Sequence, residues 1–279
     1  MSKVLPTALV AILAVACATP RATHEIMPRT SQTAMLPPGG PPPLVVEETE
    51  KFAAGEFTGS DDVKLVYRLL SPAPLDPRKR YPLVLVLHGA NGVGNDNRKQ
   101  LGGFNSSWAR PEIMRQFPAY ILVPQFPNRT ATYAYSADGL PSSAPGESVD
   151  TALELLDHIL ATEQVDRRRV YVIGVSMGAS TAWNALLLRP KVFAAAMPVA
   201  GIPPARDTAS HFNGTSLLIV HGNRDIVNPI AADRAMYAAL QSVPGASVRF
   251  REYEGLDHQV PPDMLASNWW REWLFAQRR

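Results

Sequence analysis

The sequence holds one cysteine, Cys17, so an intrachain disulfide and a cysteine-based zinc site are both excluded. It also lacks an excess of either charge: 27 Lys and Arg stand against 25 Asp and Glu, a formal net charge of +2. So even a balance gives no basic footprint, and nucleic acid is not an expected partner. No His-Glu-x-x-His or other metal-ligand spacing occurs, so neither a metal nor a cofactor is called for. No repeat with a period of about 20 to 50 residues is visible, which argues against a solenoid. The N-terminal apolar stretch, residues 4–18, is interrupted by Pro6 and Thr7 and falls short of the about 20 residues that span a bilayer. What the chain does have is apolar character, 46% of its residues, enough to bury a substantial core and exclude wholesale disorder. Its 279 residues suit one large domain or two small ones.

Lys3, the apolar stretch and the small residues that follow have the pattern of an export signal. Leu13-Ala14-Val15-Ala16-Cys17 resembles the lipobox of bacterial lipoproteins, although that family prefers Leu where Ala14 stands. The resemblance implies a signal over residues 1–17, lipidation of Cys17, and a membrane anchor facing the periplasm or exterior. An ordinary signal cleaved near Ala16 or Ala18 implies a secreted protein instead, and a buried free thiol is the plainest alternative. Pro20, Pro28, Pro37, Pro38 and Pro41 to Pro43, with Gly39 and Gly40, then predict an extended, solvated tether over residues 18–45. Residues 46–279 are left as the catalytic domain.

Within that domain, Leu83 to Leu87 is a continuous apolar run, expected of a strand buried on both faces of a parallel sheet. Residues 63–70, 120–123, 170–173, 194–199, 217–220 and 248–250 also read as strands. Between them, Val149, Ala152, Leu153, Leu156 and Leu160 fall on one helix face, and helices are predicted at 177–189, 230–241 and 263–277. Strands alternating with helices predict an α/β fold, a mostly parallel central sheet with helices on both faces. Ligands bind such sheets beyond the carboxyl ends of the strands.

One strand runs straight into Gly174-Val175-Ser176-Met177-Gly178 and then a helix, the strand-turn-helix setting of a nucleophile elbow. Gly174 and Gly178 leave room for a sharp turn that lifts the Ser176 hydroxyl out of the sheet. The new helix aims its first N–H groups at the same point, making Met177 N–H one oxyanion donor. The turn His88-Gly89-Ala90 can supply the second, assigned to Ala90 with Gly89 as fallback. A glycine-flanked serine that merely caps a helix is the bland alternative. Against it stand Asp225, a few residues past the strand at 217–220, and His258, on a loop before the last helix. The chain order Ser176, Asp225, His258 is the one expected for a triad on this fold. Asp257 cannot readily orient its own neighbour His258, and Asp233 reads as a solvated helix-face residue. His88 and His221 are expected to satisfy backbone groups or line the site; His24, His158 and His211 are expected to be surface or structural.

The same residues resemble a group within the α/β-hydrolase superfamily: bacterial predicted peptidases or phospholipase/carboxylesterase-like proteins, related to dienelactone hydrolases, feruloyl esterases and polyhydroxybutyrate depolymerases. The resemblance covers about residues 55–279 and rests on residues 81–90, 94–97, 123–125, 165–171, 174–178, 221–225 and 273–279. Two departures matter. Gly178 is followed by Ala179-Ser180 where relatives often carry Gly-Gly. Gln125-Phe126-Pro127 leads to Tyr133 and Tyr135 where many relatives have paired tryptophans, in a region expected to wall the acyl pocket. Phe104 and Trp108 are weaker candidates for the cleft, and Trp269, Trp270 and Trp273 are expected to pack a terminal helix. The implied function is a serine esterase acting on a small-molecule or polymer-linked ester through an acyl-enzyme. A serine peptidase of prolyl-oligopeptidase type, and a non-catalytic surface lipoprotein, are the alternatives.

Overall fold

The computed structural model describes residues 22–29 and 46–279. Its strands are β1 (Ala22–Met27), β2 (Ala53–Thr58), β3 (Lys64–Leu70), β4 (Tyr81–Leu87), β5 (Tyr120–Gln125), β6 (Ala131–Tyr135), β7 (Pro141–Pro145), β8 (Val165–Val175), β9 (Ala195–Val199), β10 (Ser216–Gly222) and β11 (Ser247–Tyr253). Its helices are α1 (Val46–Glu50), α2 (Gly103–Ser106), α3 (Pro111–Gln116), α4 (Val149–Thr162), α5 (Met177–Leu188), α6 (Ala231–Gln241), α7 (Pro262–Ala266) and α8 (Trp269–Phe275). Among the described residues nine strands form one sheet in the order β1-β11-β10-β9-β8-β4-β5-β3-β2. Strands from β1 to β5 in that order pair in parallel; β3 and β2 close the far edge antiparallel.

The continuous apolar runs arise because both faces of the sheet are covered. On β4, Leu83, Leu85 and Leu87 pack into one layer with Leu153 and Leu156 of α4 and Trp183 of α5. Val84 and Val86, pointing the other way, meet Trp108, Ile113 and Trp270. Each side chain so buried contributes about 1.5–3 kcal/mol of transfer free energy, so polar substitution on either face is disfavoured. β10 divides identically, Leu217 and Ile219 to the first layer and Leu218 and Val220 to the second. The helices expected at 177–189 and 230–241 are α5 and α6. The one expected at 263–277 is broken into α7 and α8, because Ser267 is extended (φ −142°, ψ 176°) and its Oγ donates to the Asp263 carbonyl at 2.7 Å.

One expectation is corrected. Residues 22–27, assigned to the tether, are a strand of the sheet, pairing in parallel with β11. Side chains hold it there, His24 stacking on Phe250 at 4.8 Å and Glu25 pairing with Arg251 at 2.8 Å, and the backbone Glu254 N–H donates to the Met27 carbonyl at 3.0 Å. Cys17 and the rest of residues 18–45, apart from 28 and 29, lie outside the described residues.

Candidate active site

β4, β8, β10 and β11 are all parallel, so their C-terminal ends open on one edge of the sheet, and Ser176, Asp225, His258 and the turn His88–Ala90 follow those ends. Ser176 follows β8 with φ 57° and ψ −119°, a conformation costly for any non-glycine residue and usual where function demands it. Its neighbours make that turn possible. A Cβ on Gly174 would drive into the Gly178 carbonyl, and one on Gly178 into the Leu87 carbonyl of β4. Ser176 N–H donates to the Val199 carbonyl at 2.9 Å, pinning the turn to β9.

The hydroxyl lifted by this turn meets a histidine. His258 Nε2 lies 2.8 Å from Ser176 Oγ, and His258 Nδ1 lies 2.6 Å from Asp225 Oδ2. The two loops carrying them are tied together by Arg224 N–H, which donates to the Leu256 carbonyl at 3.0 Å. The Asp225 side chain is fully buried. Burial alone would raise its pKa. Hydrogen bonds from His221, His258 and the Asn228 N–H outweigh that and hold the carboxyl well below the usual carboxylate range. Its other oxygen, Oδ1, accepts from the Val227 and Asn228 N–H groups, both at 2.8 Å. Asp257, the rival acid, is exposed.

The two expected oxyanion donors occupy equivalent positions. Met177 begins α5 and Ala90 begins a 3-10 turn over Ala90–Gly92, so each carries an N–H with no acceptor inside its own helix. A Cβ built on Gly89 would lie 3.6 Å from Ser176 Cβ, which sets this turn directly against the serine. The turn is braced from behind. Gln125 Nε2 donates to the Gly92 carbonyl at 3.1 Å and to Asp96 Oδ1 at 2.9 Å, while its Oε1 accepts from Asn97 N–H at 2.6 Å. The resemblance blocks at 94–97 and 123–125 thus meet as one support for the 88–92 turn. His88 is buried and serves the backbone, with Nδ1 2.7 Å from the Gly89 carbonyl and Nε2 accepting from Phe126 N–H at 3.1 Å. Burial pushes its pKa down. It therefore belongs to the scaffold.

Ser176 and His258 open into a cavity of about 310 Å³ whose walls include Phe104, Val175 and Val260 on the apolar side and Asn91 and Lys99 on the polar side. Of the weaker cleft candidates, Phe104 is there. Trp108 is not: it is buried edge-on against Trp270 in the second core layer. Tyr133 and Tyr135, on the hairpin β6–β7, are exposed and stand outside that lining; the Tyr133 hydroxyl donates to Ser180 Oγ at 3.4 Å. The tryptophans of the last helix pack as expected, Trp270 fully and Trp269 and Trp273 in part. No group of three or more His, Cys, Asp or Glu poised to hold a metal occurs among the described residues.

One acid departs from its expected place: Asp233 is wholly buried in α6 rather than solvated. His221, wholly buried at the end of β10, meets the Asn228 carbonyl through Nε2 at 2.9 Å as expected of a residue serving the backbone, and also has Nδ1 2.7 Å from Asp233 Oδ2 and Nε2 3.2 Å from Asp225 Oδ2. The signal was present: Asp233, Met236, Tyr237 and Leu240 are spaced as one helix face, and all are buried.

A family model of phospholipases and carboxylesterases matches residues 141–268, which include Ser176, Asp225 and His258. No curated protein sequence matches the chain. Among solved structures, a thermostable esterase is 28% identical with a TM-score of 0.75, covering 84% of this chain and 64% of its own. The chain therefore spans just under two thirds of that esterase. A ferulic acid esterase from Anaeromyces mucronatus is 16% identical with a TM-score of 0.57, over 80% of this chain and 88% of its own. An acylaminoacyl peptidase is 17% identical with a TM-score of 0.52, over 76% of this chain and 39% of its own. Taken with the sheet and its elbow, these likenesses show that the chain has the α/β-hydrolase fold.

Proposed function

We propose that the protein is a serine hydrolase that cleaves carboxylic esters through an acyl-enzyme. The observation that carries this reading is the unbroken hydrogen-bonded chain from Ser176 Oγ through His258 to Asp225, set on a strained elbow beside a cavity. His258 Nε2 takes the hydroxyl proton as Oγ attacks the ester carbonyl, and Asp225 fixes Nδ1–H and stabilises the imidazolium. The N–H groups of Met177 and Ala90 receive the oxyanion. Collapse expels the alcohol, which takes the proton back from His258, and leaves the acyl group on Ser176. Water then repeats the sequence: His258 removes its proton, the acid departs and Oγ is reprotonated. Each oxyanion donor in such a site is worth about 3 kcal/mol of barrier.

Esters are favoured over amides because the 28%-identical structure is an esterase, whereas the acylaminoacyl peptidase stands at 17%. Purified enzyme is expected to hydrolyse p-nitrophenyl acetate and butyrate and to turn over aminoacyl p-nitroanilides at least about 100-fold more slowly. An anilide preferred over both esters would reverse the assignment to peptidase. Absence of fluorophosphonate labelling would point to the non-catalytic alternative.

We also propose export and lipidation at Cys17. β1 is parallel to β8, so Ala22 starts at the sheet end opposite Ser176. Only four residues lie between Cys17 and Ala22, five Cα steps with a reach of about 17 Å at most. On this reading the cavity faces away from the anchoring membrane, toward substrates outside that bilayer. Metabolic labelling with an alkynyl fatty acid is expected to mark the protein and to be lost in Cys17→Ser; equal labelling of the two would reject the anchor.

A further inference from the structure

Behind the acid of the triad lies a second histidine and a second acid. His221 Nδ1 meets Asp233 Oδ2 at 2.7 Å; His221 Nε2 meets the Asn228 carbonyl at 2.9 Å and Asp225 Oδ2 at 3.2 Å. Both ring nitrogens thus face oxygen acceptors only. An imidazole carrying a single N–H would leave one of these nitrogens with its lone pair against an acceptor oxygen. The contacts are all satisfied if both nitrogens are protonated, or if Asp233 carries the proton and donates it to Nδ1. In either form Nε2 bears hydrogen and aims it at Asp225 and Asn228.

We propose that His221, gripped by Asp233, is a positioning residue for the triad: its Nε2–H holds the turn Asp225–Asn228 in place and takes up part of the negative charge that Asp225 Oδ2 presents to His258. The inference rests on the serine-hydrolase reading above. Asn228 is itself clamped, its N–H donating to Asp225 Oδ1 and its Nδ2 to the Ala200 carbonyl at 2.8 Å, so His221 supplies the missing third constraint on this turn. Burial disfavours an imidazolium here, yet hydrogen bonds and charge from Asp225 and Asp233 push the His221 pKa up to about 9. Burial also pushes Asp233 up, as expected for a pair that shares one extra proton.

The ionisable groups around His221 are few. Asp225 and Asp233 face it, with His258 beyond Asp225. On β11, Glu252 stands beside it in register but is engaged by Arg234 at 2.5 Å and His24 at 3.3 Å. β9, its other neighbour strand, carries none between Ala195 and Val199. The effect on catalysis has a definite sign. With His221 removed, Asp225 Oδ2 presents its full charge to His258 and favours the imidazolium over the free base that must take the serine proton. The acid limb of the pH profile moves upward.

The test compares kcat/KM against pH for the wild type, His221→Asn and His221→Gln on p-nitrophenyl butyrate, with melting temperatures and fluorophosphonate titration of active sites. In His221→Asn, whose amide is too short to reach Asp225, the acid limb should rise by about one pH unit and kcat fall about tenfold, with KM changed less than about twofold. His221→Gln puts an amide N–H near the position of Nε2 and should restore most of both. A folded, titratable His221→Asn with the wild-type limb overturns the proposal, as does a Gln variant no better than Asn. If neither variant folds, 1H–15N spectra of the wild-type imidazoles decide: His221 Nε2 should carry a slowly exchanging proton at neutral pH, and a bare Nε2 refutes the proposal. Wild-type enzyme that fails to react with the fluorophosphonate defeats the serine-hydrolase reading itself, whereas a labelled wild type with an unmoved limb defeats only the role of His221.

Discussion

Ser176→Ala is expected to lower kcat/KM on p-nitrophenyl butyrate by about 10⁵-fold or more and to abolish fluorophosphonate labelling, with an unchanged melting curve. The size follows from the loss of the group proposed to form the acyl-enzyme. A residual rate above water, about 10³–10⁴-fold, is expected because the proposed donors at Met177 and Ala90 and the cavity remain. The unchanged stability follows from where the elbow is held. Its left-handed turn is enforced by Gly174, Gly178 and the bond from Ser176 N–H to Val199, and none of these involves the hydroxyl. Alanine tolerates φ 57° about as poorly as serine does, so substitution adds little strain. Turnover within tenfold of wild type would remove Ser176 from the mechanism.

Much of this candidate site is legible in the sequence because each proposed catalytic group follows the end of a buried strand. Strands such as Leu83 to Leu87 and Leu217 to Val220 announce themselves by bulk alone, and the first polar residues after them mark the open edge of the sheet. Elements whose reasons are distant in the chain are the ones missed. β1 is short, polar and set among prolines; its partners Phe250 and Arg251 lie more than two hundred residues away, so no local window contains the cause of its pairing. The split between α7 and α8 is hidden in the opposite way, since the apolar spacing continues through Ser267 while its side chain turns back on Asp263. Asp233 is a third kind of miss. Its spacing puts it on the buried face of α6, but a carboxylate there makes sense only once His221 is known to stand opposite.

Asp225→Asn should be nearly as damaging as loss of the serine, with kcat reduced about 10⁴-fold, KM altered little and the protein still folded. The four contacts of this carboxylate all come from donors: two backbone N–H groups at Oδ1, and His258 Nδ1 and His221 Nε2 at Oδ2. An asparagine has one oxygen and one NH2, so it cannot serve both ends. With its oxygen toward the imidazoles, the NH2 is driven against the N–H groups of Val227 and Asn228, and the turn must open. With its NH2 toward the imidazoles, His258 must accept at Nδ1 and therefore carry its proton on Nε2. A protonated Nε2 donates to Ser176 Oγ and can no longer take its proton, so the wrong tautomer stops the attack even though every side chain is in place. Alanine at 225 removes the clash but takes the acceptor from the Val227 and Asn228 N–H groups, the latter buried, and should cost stability as well as rate. The two substitutions are thus separable in one pair of measurements. Asn at 225 should lose kcat with a melting temperature close to wild type, and Ala should lose both. An Asn variant of undiminished kcat would mean that some other acid orients His258.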